Sequence, residues 1–137
     1  MVEKAKRLII VVSEDKFDKA MMSMMMANTA ASMGMEVHVF HTFFGLNLLK
    51  KGKVPKLGGM MRLFTGVFVG RMKAVGIENY PAQLAMAIDL GVHIYACSTT
   101  MALMRITKED MVDGVKILGA AGFMDIAADG DISLFIG

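Results

Sequence analysis

The residues with chemistry to offer converge on one short stretch. Val92-His93-Ile94-Tyr95-Ala96-Cys97 reads as a buried strand, and the hydroxyl-rich Ser98-Thr99-Thr100 then opens into an apolar segment over residues 101–104. Cys97 is the only cysteine among 137 residues. In an open parallel α/β sheet the ligand crevice lies outside the carboxyl ends of the strands. A thiol placed there, beside the unpaired N–H groups of a helix start, is held where the thiolate is favoured over the thiol. Cys97 is therefore the candidate working group, with Ser98, Thr99 and Thr100 as supporting donors. This reading requires a sulfur that is open to solvent and ionised.

A single cysteine excludes an internal disulfide framework, a CxxC redox pair and a cysteine-rich zinc site. What remains is a buried structural thiol or a lone reactive one. A lone thiolate cannot resolve its own disulfide. It can take sulfur from one donor as a persulfide and hand it to an acceptor, because each step needs only one nucleophilic sulfur. Peroxide reduction is less attractive, since no Pro-x-x-Thr-x-x-Cys pattern precedes the thiol. His41, near the end of another strand, is a candidate base or orienting partner. Residue type favours instead an imidazole satisfied by backbone. His38 and His93 lie inside strand patterns and read as structural.

Neither a metal nor a cofactor is expected. Met21, Met22, Met24, Met25 and Met26 invite a copper(I) reading, because thioethers are soft ligands. Consecutive methionines radiate to every side of a helix, however, so packing against a sheet and a neighbouring subunit is the better account. No glycine-rich nucleotide loop follows the first strand, where the chain reads Ser13-Glu14-Asp15-Lys16.

These groups need a frame, and the apolar pattern supplies one. Leu8-Ile9-Ile10-Val11-Val12 reads as a strand buried on both faces. A helix is expected over about residues 15–33, capped from Ser13, Glu14 or Asp15 and closed by Gly34. Glu36-Val37-His38-Val39-Phe40 is a second strand. Residues 52–59, with Pro55 and three glycines, read as a mobile loop. Met60, Met61, Leu63, Phe64, Val67, Phe68 and Met72 then follow helical spacing. That helix could be a subunit or partner interface, a core helix, or a basic amphipathic helix on a membrane surface. Pro81 suits the first turn of another helix, which Gly91 ends before the Cys97 strand. Thr107-Lys108-Glu109-Asp110 resembles a capping arrangement, with Met111, Val115 and Leu118 marking one face of the helix behind it. Asp129-Gly130 is a turn before a terminal strand, Ile132-Ser133-Leu134-Phe135-Ile136. Alternation of this kind favours an α/β fold, with a parallel sheet and helices on both faces.

Length fits one domain over residues 1–137. At 55% hydrophobic the chain is greasy for a monomer of its size. Its longest runs without a charged residue cover residues 20–35 and 90–104. Both fall short of the roughly 20 residues that span a bilayer, so no transmembrane segment is expected. A cytoplasmic homo-oligomer, with the apolar surplus spent on subunit interfaces, is the economical expectation. A net charge of +2 is too small to suggest nucleic acid. Its distribution is uneven. No acidic residue lies between Glu36 and Glu78, where Lys50, Lys51, Lys53, Lys56, Arg62, Arg71 and Lys73 stand. Such a segment on an otherwise acidic body suits a docking partner or an anionic sulfur donor.

Several stretches, taken in order, carry a family resemblance. They are Asp18-Lys19-Ala20, Met33-Gly34-Met35-Glu36-Val37, Thr42-Phe43-Phe44-Gly45-Leu46, Ala96-Cys97 and the terminal strand. Over nearly its whole length the chain resembles the DsrE/DsrF-like superfamily, in particular its small single-domain branch. The resemblance implies a flavodoxin-like three-layer sandwich with a mostly parallel sheet of about five strands, and homo-oligomerisation. It also implies a cysteine carrying sulfane sulfur, here Cys97, in exchange with a TusA-like carrier or a rhodanese-like donor. The alternative is a non-catalytic oligomeric binding or scaffolding module with a structural Cys97, with association to a membrane surface as one form of it.

Overall fold

The computed structural model describes residues 5–137. Five strands form one sheet: β1 (Arg7–Val12), β2 (Glu36–His41), β3 (His93–Cys97), β4 (Lys116–Leu118) and β5 (Ile132–Ile136). Their order is β4-β3-β2-β1-β5, and every neighbouring pair is parallel. Five α-helices connect them: α1 (Phe17–Ser32), α2 (Thr65–Ala74), α3 (Tyr80–Asp89), α4 (Ser98–Met104) and α5 (Ala120–Ala127). The expected three-layer α/β arrangement is present.

Strand order and handedness divide the helices between the faces. The first three crossovers step one way across the sheet, whereas the last returns over β1 to the far edge. Right-handed connections therefore put α5 on the opposite face from α1, α3 and α4. Side chains confirm its place. The Phe123 ring of α5 stacks on Phe40 at 4.3 Å, and the Arg7 guanidinium donates to the Ile126 carbonyl at 2.9 Å. The pleat puts Leu8, Ile10, Val12, Val37, Val39, Ile94 and Ala96 on the other face, all buried. The two faces are thus built differently. Beside α5 runs a polar and aromatic ladder in which His38 stacks on His93 at 4.5 Å. His38 Nδ1 meets the Tyr95 hydroxyl at 2.7 Å, and its Nε2 meets Glu36 at 2.8 Å. The bond from His38, with help from Arg7, holds the Glu36 carboxyl below the usual carboxylate range. These partners account for His38 and His93.

Helix ends follow local chemistry, with two departures from expectation. Asn79 caps α3 by accepting from the Ala82 N–H at 3.2 Å, and Pro81 sits in the first turn. Gly34 and Gly91 follow their helices at φ +87° each, the left-handed conformation glycine tolerates best. The cap residue of α1, by contrast, is Lys16, whose side chain makes no capping bond. The Phe17 N–H instead donates to the Lys56 carbonyl at 2.9 Å.

The second departure is the helix expected from Met111, Val115 and Leu118. This segment is a turn followed by edge strand β4, and Thr107 and Asp110 cap a single 3-10 turn, Lys108–Asp110. Two glycines explain it. Gly114 adopts φ +95°, and Gly119 is extended at the cap of α5, so no helix can run through either. Residues 52–58 form no regular element, then a 3-10 helix, Gly59–Phe64, leads into α2. No residue from Gly59 to Ala74 is fully buried and only half-buried Val69 and Met72 pack against the core, so the segment is not an ordinary core helix. In α1, Met21 and Met24 face the core while Met22, Met25 and Met26 are exposed. No described helix is long and apolar enough to cross a membrane.

Between β2 and the loop segment, a 3-10 helix, Phe43–Leu49, folds back over the end of β1. Gly45 makes this approach possible, because any β-carbon there would press into the Val12 carbonyl. The same carbonyl accepts from the Thr42 N–H at 2.9 Å. Gly45→Ala is expected to reduce the unfolding free energy by about 2 kcal/mol, the usual scale for an overpacked close contact. Urea denaturation reads this directly, and an unchanged midpoint would show that the contact yields without cost.

Candidate functional site

Cys97 ends β3 and occupies the cap position of α4, a helix of seven residues. The location at a strand end and helix start is the expected one. The expected openness is not. Cys97 is only 6% exposed, so most of the sulfur's surroundings are protein. Burial pushes a thiol up, because the charged form loses its hydration. Polar groups of Thr100, Thr42 and Thr99 around the sulfur oppose it, the Thr100 hydroxyl most strongly. Their combined effect holds the Cys97 thiol below its ordinary value. A helix cap supplies the N–H groups among them because its first turn leaves them without internal partners.

Strand register delivers the second set of donors. His41 of β2 lies opposite Ala96 of β3, so the next residue, Thr42, comes opposite Cys97. Its hydroxyl is 3.3 Å from that of Thr100, and the Phe43 N–H donates to the Thr100 oxygen at 3.1 Å. In the orientation where Thr42 donates to Thr100, the Thr100 oxygen accepts from both groups and its own proton is free for the sulfur. Phe43 itself adopts φ +48°, a conformation L side chains rarely take, and both its ring and that of Phe44 are exposed. Strained backbone of this kind persists where its surroundings over-determine it.

The other candidates fall in different places. Thr100 is buried against the thiol, while the side chains of Ser98 and Thr99 are exposed. His41 is fully buried and its Nδ1–H donates to the Gly45 carbonyl at 3.0 Å. It is not among the groups that lower the Cys97 thiol. Its Nε2 has no partner among the described residues. Among the described residues no cluster of His, Cys, Asp and Glu could hold a metal ion.

The basic segment divides into three. Lys50 and Lys51 join Arg105 around a cavity of about 290 Å³. Lys53, Lys56 and Arg62 join Lys16 around another of about 290 Å³. Arg71 and Lys73 lie on exposed α2. A more apolar cavity of about 460 Å³ runs along α3 past Tyr80, Leu84 and Ile88, and Cys97 does not line it. Thr42 was missed as a site residue from sequence. The available signal was positional, since it follows the end of β2 as Ser98 follows the end of β3.

Comparison with known proteins identifies the family and the fold. The model of the DsrE/DsrF/DrsH-like family matches residues 4–61 and 56–135. The chain belongs to that family. It is 31% identical over 156 aligned residues to the sulfur carrier protein DsrE2 of Allochromatium vinosum, covering 96% of this chain and 98% of that protein. It is 30% identical to Bacillus subtilis YrkE, covering 99% and 100%. The fold matches solved structures of MTH1491 from Methanobacterium thermoautotrophicum and YchN from Escherichia coli, each at TM-score 0.67 and 14% identity. Those matches cover 94% and 95% of this chain, and 96% and 98% of the respective structures.

His41 gives the site a measurable pH signature. Burial lowers its pKa from 6.5 to about 4, only partly offset by the bond to Gly45. In the unfolded chain it takes up a proton as pH falls through 6.5, while the folded protein resists until about 4. Stability is therefore fully present above pH 6.5 and is lost between that value and about 4. The loss is on the order of 3 kcal/mol. Thermal or urea unfolding across this window should show the decline, and His41→Gln should flatten it. An equally steep decline in the variant would assign the acid sensitivity elsewhere.

Proposed function

We propose that the chain is a sulfur carrier that holds sulfane sulfur as a persulfide on Cys97. The observation that carries this reading is the place of Cys97 at the end of β3 and the cap of α4, next to the paired hydroxyls of Thr42 and Thr100, whose polar groups lower the thiol despite its burial. Such a site stabilises a sulfur anion without a proton-transferring base beside it. That suits holding and passing sulfur better than chemistry needing a general acid. In loading, the Cys97 thiolate attacks the outer sulfur of a persulfide donor; a new S–S bond forms as the donor's S–S bond breaks, and the donor leaves as a thiolate. In unloading, an acceptor thiolate attacks the outer sulfur and Cys97 leaves as a thiolate. No net oxidant or reductant is consumed. The name of the A. vinosum relative supports the same role at family level.

Partner proteins fit the surface around this sulfur. Exposed Phe43 and Phe44 adjoin the Thr100 clamp, and exposed Met60, Leu63, Phe64, Val67 and Phe68 form an apolar, basic projection at α2. We assign these faces to a TusA-like or rhodanese-like exchange partner and to copies of the same chain. The setting is the cytoplasm, where a free thiol stays reduced.

A second reading has one observation in its favour. Cys97 is nearly covered, as a structural thiol in a binding or scaffolding module would be. Mass spectrometry separates the two. After incubation with inorganic polysulfide, the carrier gains about 32 Da per sulfur atom at Cys97. Cys97→Ser removes the adduct. A wild-type protein left unmodified under conditions that load a rhodanese would establish the scaffolding role instead.

A further inference from the structure

We propose that the cavity lined by Lys16, Lys53, Lys56 and Arg62 binds the diphosphate group of a small anionic ligand. Four cations meet there and the lining contains one carboxylate, Asp15. That carboxylate is already engaged. It accepts from the Asn47 side chain at 2.9 Å and pairs with Lys16 at 3.8 Å. Lys53, Lys56 and Arg62 have no ion pair among the described residues. Three uncompensated positive charges around about 290 Å³ repel one another and attract a compact anion of matching charge. A diphosphate carries about three negative charges near neutrality and presents oxygens on several sides, whereas a carboxylate would leave most of the positive charge unanswered.

The cavity is fixed by hydrogen bonds that do not use the cationic side chains. The Lys56 carbonyl accepts from the Phe17 N–H, which ties the loop to the start of α1. The Thr65 hydroxyl accepts from the Leu57 N–H at 3.0 Å and donates to the Arg62 carbonyl at 2.9 Å. Lys56 and Arg62 are thereby held relative to each other and to α1 before any ligand arrives, which lowers the ordering cost of binding. The residues after β1 also lie at the carboxyl edge of the sheet, where α/β folds place their ligands. None of this depends on Cys97 carrying sulfur.

Isothermal titration of the full chain with inorganic pyrophosphate at low ionic strength tests the proposal. One saturable site is expected, with affinity at least tenfold weaker in Lys56→Gln/Arg62→Gln. Arg71→Gln/Lys73→Gln removes the same charge from α2 and should bind within twofold of wild type, as should Cys97→Ser. Adenosine diphosphate forms a second arm: tighter binding than pyrophosphate identifies a nucleotide-type ligand, and equal binding identifies the free diphosphate, both in support. Absence of saturable binding overturns the site. So does equal weakening in the two double variants, which would reduce the effect to net charge. Circular dichroism of each variant checks folding, and sulfate titrated into wild type should displace pyrophosphate even if a variant is unstable.

Discussion

Two strand ends meet at Cys97, and the hydrogen bonds between them decide what its sulfur can be. The thiol is covered, which by itself would keep it protonated and inert. Thr100 from the first turn of α4 and Thr42 from beyond β2 reverse that tendency. Each hydroxyl depends on a backbone contact elsewhere. Thr42 is held by the Val12 carbonyl, and Thr100 receives the Phe43 N–H. The close fold of Phe43–Leu49 over β1, which glycine at position 45 permits without a clash, is what keeps those donors aimed. A strained Phe43 and a close-packed Gly45 are therefore features of the sulfur site as much as of the fold.

The sheet adds an asymmetry that bears on the same point. One face is hydrocarbon beneath α1 and α3, and it carries most of the burial. The other has a single eight-residue helix, α5, and a ladder of His38, His93 and Tyr95 beside it. Alternate residues on β3 put Cys97 in line with His93 and Tyr95, at the end where Phe40 and Phe123 replace polar groups. The thiol thus sits where apolar packing gives way to hydroxyl donors. That combination raises the value of every hydrogen bond to the sulfur, because water competes less for it.

Much of this was legible in the chain itself. Four strands announced themselves as apolar runs of strand length, and Gly34, Gly91 and Pro81 stand at the ends their conformations suit. The α/β alternation and the placement of Cys97 followed from these. β4 was hidden because three residues at a sheet edge leave almost no periodicity, and Met111, Val115 and Leu118 imitate a helical face by chance. Lys16 as the cap of α1 was equally invisible, since its substitute partner, the Lys56 carbonyl, is distant in sequence. Thr42 needed the β2–β3 register, which no local pattern encodes. The burial of Cys97 was misjudged for the same reason: a strand end looks open until the neighbouring connection folds over it.

The most direct test of the account is the pH dependence of Cys97 alkylation by a small uncharged reagent. The account predicts an apparent pKa below that of an ordinary cysteine, and a rise above the wild-type value when Thr100 is replaced by valine, which keeps the shape but removes the hydroxyl. A wild-type thiol that titrates at or above the ordinary value, or one indifferent to Thr100→Val, would contradict it.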